Sequence, residues 1–315
     1  MIFTATLEQM AFLFSLILLG YILMKAKVLP DNAGTVLSKL ENYLFLPALV
    51  LNIFISNFSI SKLETSYKLM LFSIALMFVM IGLGYVCTKF MKNEDLRKIS
   101  FYGLCFSNLT FMGNAIVGAL FPDVLLEYVV FTLVLWVAIY VWGVPNLLIG
   151  NDSGKGLKNR LKNLLNPMFI CMIVGMIIGL LELPLPSFVD TVINSASACM
   201  SPVAMLITGM TVAKISLLSV LKEKSVYYVS FMRLIVFPLV FIGVAYLVGL
   251  HKIMPQSFII CAVASLAMPL GLNSVVIPSA YGKDTTVAAG MALFSHLLSA
   301  ATLPLIFWIM NICLF

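Results

Sequence analysis

Residues 256–282 read QSFIICAVASLAMPLGLNSVVIPSAYG. The opening of this stretch is apolar enough for lipid, yet Met268-Pro269-Leu270-Gly271-Leu272-Asn273 falls where a bilayer-crossing helix would have its middle. Proline removes a backbone donor and clashes with the preceding turn, and glycine adds backbone freedom, so a helix is expected to break here. Residues 100–121, SFYGLCFSNLTFMGNAIVGALF, carry a second disruption, because Ser107-Asn108-Leu109-Thr110-Phe111-Met112-Gly113-Asn114 is too polar to face lipid. Paired interruptions at corresponding positions of two halves point to a binding site inside a membrane protein.

The composition around these stretches agrees. Of 315 residues, 62% are hydrophobic and 10% charged, and the mean hydropathy is +1.10. Soluble domains run nearer half apolar and a quarter charged. An ordinary cytosolic enzyme, a nucleic-acid binder and a disordered regulator are thereby excluded. The net charge of +6 is no nucleic-acid footprint, since the lysines sit in short loops between apolar runs. With about 20 residues per span, ten membrane helices are predicted: 7–24, 35–55, 68–90, 99–121, 124–149, 167–183, 189–210, 226–249, 255–281 and 285–312. The first carries Glu8, has no basic residue ahead of it and is followed by no A-x-A site, so it reads as a retained helix rather than a signal peptide. Cys87, Cys105, Cys171, Cys199, Cys261 and Cys313 include no C-x-x-C pair and read as small core hydrophobes. Two histidines, His251 and His296, do not make a metal centre, and neither a metal nor a cofactor is expected.

Basic residues set the orientation. Odd-numbered loops hold 15 Lys and Arg, among them Lys89, Lys92, Arg97 and Lys98, and even-numbered loops hold 3, Lys62, Lys68 and Lys252. The odd loops are therefore expected in the cytoplasm and both termini outside. The longest polar connection, 151–166, divides the chain into 1–150 and 167–315. The halves share a pattern at a nearly constant offset of 155 to 161 residues: Pro47 with Pro202, Thr35-Val36 with Thr191-Val192, Ile81-Gly82 with Ile242-Gly243, Ser100-Phe101 with Ser257-Phe258, and Pro145 with Pro304. Each half holds five spans. An odd number forces opposite orientations, so the expected fold is all-α, two inverted five-helix repeats whose fourth and ninth helices are broken and cross.

A broken helix leaves N–H groups at the start of its second half, a positive end suited to a carboxylate, and carbonyls at the end of its first half. Asn108, Asn114 and Asn273 add amides that donate and accept, and Gly113 and Pro269 mark the interruptions. These five are the candidate substrate ligands. Arg233 lies about nine residues into the eighth span, roughly 13 Å deep at 1.5 Å per residue, and is either a carboxylate ligand or a partner for backbone carbonyls. Asn52 is a candidate for the facing wall of the cavity. His296 and Glu41 are candidates for coupling to protons, weighed against a hydrogen bond across helices and a solvated inner mouth. Gly175-x-x-x-Gly179 in the sixth span permits close helix contact, either within the chain or at a dimer seam.

SNLTFMGN at 107–114 and MPLGLNSVVIPSAYGKD at 268–284 resemble the auxin efflux carrier family, as do ENYLFLPALVLNIF at 41–54, NPMFICMIVGMIIG at 166–179, RLIVFP at 233–238 and TLPLIFW at 302–308. The resemblance covers nearly the whole chain. It implies a bacterial permease for malate, malonate or similar organic acids in the plasma (inner) membrane, with a fold similar to the bile-acid and sodium/proton carriers. That fold has a scaffold, here 1–60 plus 167–212, and a moving transport domain, here 66–150 plus 225–315. The plant exporters carry proline at both crossings, whereas the fourth span here relies on Gly113, and their long cytoplasmic loop is absent.

The expected function is secondary or exchange transport of a small organic anion, a dicarboxylate first, by elevator-type movement. Auxin-like aromatic monocarboxylates are the alternative cargo. An anion channel or a membrane substrate sensor is the rival of another class. No H-E-x-x-H, G-x-S-G, G-x-G-D or G-x-x-x-x-G-K-[ST] motif is present, so neither an enzyme nor an ATP-driven pump is expected. The expected partners are the anion, the lipid bilayer and a second copy meeting it through scaffold helices.

Overall fold

In a computed structural model of the chain, residues 2–57, 60–149, 167–214, 222–280 and 286–315 are described. The 151–166 connection, with Lys155, Lys158, Arg160 and Lys162, and the Tyr281-Gly282 end of the ninth-span pattern lie outside them.

Among the described residues the chain is helical, with one isolated β-bridge. The helices are α1 (Ile2–Lys25), α2 (Ala33–Leu40), α3 (Leu46–Asn57), α4 (Ile60–Thr88), α5 (Glu94–Cys105), α6 (Asn114–Leu120), α7 (Leu125–Ala138), α8 (Pro167–Leu180), α9 (Ser187–Ala213), α10 (Lys224–Phe231), α11 (Phe237–Leu247), α12 (Leu250–Ile253), α13 (Gln256–Ala267), α14 (Asn273–Ala280) and α15 (Thr286–Leu314). Six stretches are long and apolar enough to cross a membrane: Ala33–Ser56, Ser66–Thr88, Pro122–Leu148, Ser187–Ala213, Lys224–Leu247 and Thr286–Leu314. Three apolar helices are shorter, Met10–Lys25, Phe169–Leu180 and Gln256–Ala267. The predicted fourth span is not among the long stretches because α5 and α6 are separate helices, each too short to cross alone, and α5 is not among the short apolar helices because it opens with Glu94, Asp95, Arg97 and Lys98.

Prolines shape the long helices. A wide π-type turn at Glu41–Phe45 joins α2 to α3 and ends two residues before Pro47. Another, Met232–Val236, joins α10 to α11 and ends two residues before Pro238. Proline cannot donate to the carbonyl one turn back and its ring crowds that turn, and the widened ring of a π turn accommodates both. Glu41 and Arg233 lie in these turns and are buried.

Packing places the core. α1 lies against α9, and α3 lies against α8 and α9. The α1–α9 contact is backbone-close, since a Cβ on Gly209 would overlap the Ile17 carbonyl and one on Gly20 the Leu206 carbonyl. Gly175 abuts Phe54 and the Leu51 carbonyl of α3, so this glycine of the G-x-x-x-G pattern serves an internal contact. α13 is enclosed, with every residue from Phe258 to Ala267 buried. A helix apolar on all sides belongs in the centre of such a bundle. Exposed Leu18, Leu19, Phe78, Val79, Val240 and Leu247 cover the outer surfaces of α1, α4 and α11. Bilayer tails would cover such a surface; water would not.

Candidate functional site

Both interruptions are present, and they meet. α13 ends where Met268 turns to extended backbone (φ −66°, ψ 146°) ahead of Pro269, the conformation that proline imposes on its predecessor. α5 ends at Phe106 (φ −122°, ψ 127°) with no proline nearby. The first break is instead held by the second: Asn108 N–H donates to the Pro269 carbonyl at 2.7 Å, Ser107 pairs antiparallel with Leu270, and the Ser107 hydroxyl donates to the Ser265 carbonyl at 2.8 Å. Gly271 permits the approach, because a Cβ there would stand 3.1 Å from the Ser107 carbonyl oxygen. The expectation that Gly113 marks the first break is corrected. Gly113 is helical (φ −63°, ψ −49°) in the π-type turn Leu109–Gly113, five residues beyond the break, and a Cβ on it would collide with the Tyr128 hydroxyl.

Arg233 joins the two first halves. Its guanidinium donates to the carbonyls of Leu104 (2.7 Å), Ser265 (2.6 Å) and Met268 (3.4 Å). These carbonyls are the negative ends of α5 and α13, where a cation is favoured. Both Nη atoms and Nε of this buried side chain are thus engaged by backbone.

α15 holds the crossing from the other side with two consecutive residues. Ser295 accepts from Leu270 N–H at 3.1 Å. His296 sits 3.0 Å from the Asn108 side-chain nitrogen through Nε2, and 2.7 Å from the Ala292 carbonyl through Nδ1.

A small cleft lined largely by polar side chains and backbone opens on the crossing. Asn108, Thr110, Leu272 and Asn273 line it, together with Asn42, from the π-type turn of the second span, and Trp136. Of the sequence candidates, Asn108 and Asn273 are therefore brought together. Asn114 is buried below, its Oδ1 without a partner among the described residues. Pro269 contributes its carbonyl to the crossing. Arg233 does not line the cleft, and neither does Asn52, whose amide donates to Asn194 at 2.9 Å while Asn194 donates to Asp190 at 3.1 Å. Glu41 is fully buried, and both its carboxylate oxygens lack a partner among the described residues.

Sequence reasoning missed Asn42, Thr110 and Trp136 as lining residues. Pro47 signals the turn that presents Asn42. Trp136, whose Nε1 donates to the Thr110 hydroxyl at 2.6 Å, lies in an unbroken apolar run and gives no such signal. Among the described residues no cluster of His, Cys, Asp or Glu could hold a metal ion.

The sequence profile of a family described as membrane transport protein matches residues 5–159 and 156–308. The chain belongs to this family. It is the auxin efflux carrier family that the sequence resembles. Membership of the membrane transport protein family makes the chain a multi-pass membrane transporter. A search of curated proteins finds no match.

Proposed function

We propose that the chain carries small organic anions, a dicarboxylate such as malate or malonate first among them, by alternating access with the anion held at the helix crossing. The carrying observation is the cleft itself: two interrupted helices bonded backbone to backbone, presenting Asn108, Thr110 and Asn273 side by side. Amides and a hydroxyl bind carboxylate oxygens without placing a fixed charge in the membrane, and the second halves begin there with the positive ends of their dipoles.

The packing supports two inverted repeats of five spans. α1 on α9 and α3 on α8 are the same pairing with the halves exchanged. α4 on α7 is likewise matched by α10 and α11 on α15. On this reading α1–α3, α8 and α9 form the scaffold, the rest moves as the transport domain, both termini lie outside, and the cell membrane is the plasma membrane of a bacterium. Trp136 in the cleft wall favours one second reading, an aromatic monocarboxylate stacked on the indole.

Counterflow in proteoliposomes tests the proposal. Unlabelled malate inside should drive saturable uptake of labelled malate, lost in Asn108→Ala and Asn273→Ala. Uptake of indole-3-acetate but not malate would move the cargo to the aromatic class. No exchange of any anion by folded protein would leave a channel or a sensor.

A further inference from the structure

We propose that His296 links anion binding at the crossing to uptake of a proton, by dictating which end of the Asn108 amide faces the cleft. This rests on the carrier reading above. The Ala292 carbonyl can only accept, so Nδ1, 2.7 Å away, carries a proton. A neutral ring then has a bare Nε2, which can only accept. The Asn108 atom 3.0 Å from it must be the NH₂ group, and this holds whichever way the amide is first drawn. The neutral state therefore leaves Asn108 with its carbonyl oxygen for the cleft that it lines, an acceptor where a carboxylate needs a donor.

A second proton on the ring reverses this. Nε2–H becomes a donor, and Asn108 satisfies it only by turning its amide over. The NH₂ group then faces the cleft, and a positive charge stands one residue behind it. Both changes favour an anion, and by linkage the anion favours the proton equally. One proton moves from water to Nε2, and no other bond changes.

The surroundings leave this role to His296. On the elements packed against α15, the charged side chain in mid-helix is Arg233, already engaged by three carbonyls. Cys105 of α5 and Cys261 of α13 are buried thiols. Glu8 and Lys25 of α1, Glu94, Asp95, Arg97 and Lys98 of α5 and Lys224 of α10 stand near helix ends. The Ser295 hydroxyl, next in sequence, donates to the same Ala292 carbonyl at 3.0 Å and accepts from Leu270, so it has no proton to offer Nε2.

Two readouts test the link. The chain has 2 histidines, so histidine labelled with ¹³C and ¹⁵N gives two ring signals by NMR, assigned by removing His251. The neutral His296 ring should be the Nδ1–H tautomer. Saturating malate, ionised above about pH 6.5, should raise the His296 titration midpoint by about one pH unit, the linkage of a roughly tenfold preference for the protonated ring, and leave His251 in place. An Nε2–H tautomer, or a midpoint indifferent to malate in protein that exchanges it, overturns the proposal.

Counterflow across pH is the second readout, each profile normalised to its own rate at one reference pH. Wild-type exchange should rise as pH falls, and His296→Gln, which can accept from Asn108 but cannot titrate, should give a flat profile. Equal slopes overturn the link while the carrier reading stands. Wild-type protein that exchanges no anion overturns the carrier reading and the link with it. Should His296→Gln fail to fold, the wild-type NMR titration decides alone.

Discussion

Asn108 joins the two halves of the molecule through one residue: its backbone N–H holds Pro269, and its side chain holds His296. Alanine there removes a proposed anion ligand and leaves Nε2 of a buried histidine without its donor. An orphaned buried polar group costs about 1–3 kcal/mol. Asn108→Ala should therefore lower the thermal midpoint as well as abolish exchange, whereas Asn273→Ala, which orphans no such partner among the described residues, should abolish exchange at near-wild-type stability. Thermal unfolding in detergent alongside counterflow reads both. Arg233→Lys should be more destabilising than either, because an ammonium cannot reproduce the planar fork that reaches Leu104, Ser265 and Met268 together. A lower melting temperature and poor recovery in size-exclusion chromatography are expected. Equal stability would mean that the carbonyls find other donors. Glu41 is the opposite case. With no partner for either oxygen among the described residues, an uncharged isostere loses no hydrogen bond there, and Glu41→Gln should raise the melting temperature.

At the level of elements, the two breaks differ in origin. α13 stops because of its own sequence, at Met268-Pro269. α5 begins by local rules, with Asn93 capping Leu96 N–H at 3.1 Å and Glu94 and Asp95 in the first turn. Its end is imposed by pairing with residues about 160 positions away. The crossing therefore depends on the absent side chain of Gly271. Gly271→Val should push the Ser107 backbone away, loosen the pairing and cut exchange at least tenfold with the helix content unchanged by circular dichroism. Wild-type exchange in that variant would show that the close approach is not required. The prolines at 47 and 238 were legible as helix disturbances. What they produce, wide turns that bring Glu41 and Arg233 inside and Asn42 to the cleft, required the neighbouring helices.

Across the whole molecule, the elevator reading puts Asn42 in the scaffold and Leu272 in the transport domain, so these two lining residues must move relative to each other. In a background with the six native cysteines replaced, none of which forms a disulfide, cysteines at 42 and 272 joined by a short bifunctional reagent should arrest counterflow. Either single cysteine, treated alike, should keep it. Exchange that persists in the joined protein would show that the two walls do not separate during transport. Membership of the membrane transport protein family accords with the expectation drawn from the composition and the paired interruptions.

The amino-acid sequence by itself determined the solvent, the class and the address of the helix breaks. An apolar fraction of 62% with 10% charge leaves only a lipid environment, and proline and polar residues in mid-span mark the breaks, because these effects act within one or two turns of backbone. Tertiary structure alone decided what each of the singled-out residues touches. Arg233 ties helix ends together, Gly113 makes room for Tyr128, Asn52 pairs with Asn194, and His296 reaches across 188 positions to Asn108. A hydrogen bond depends on distances of about 3 Å, and in a membrane bundle those are set by which helices pack together, a property that no local stretch of sequence contains.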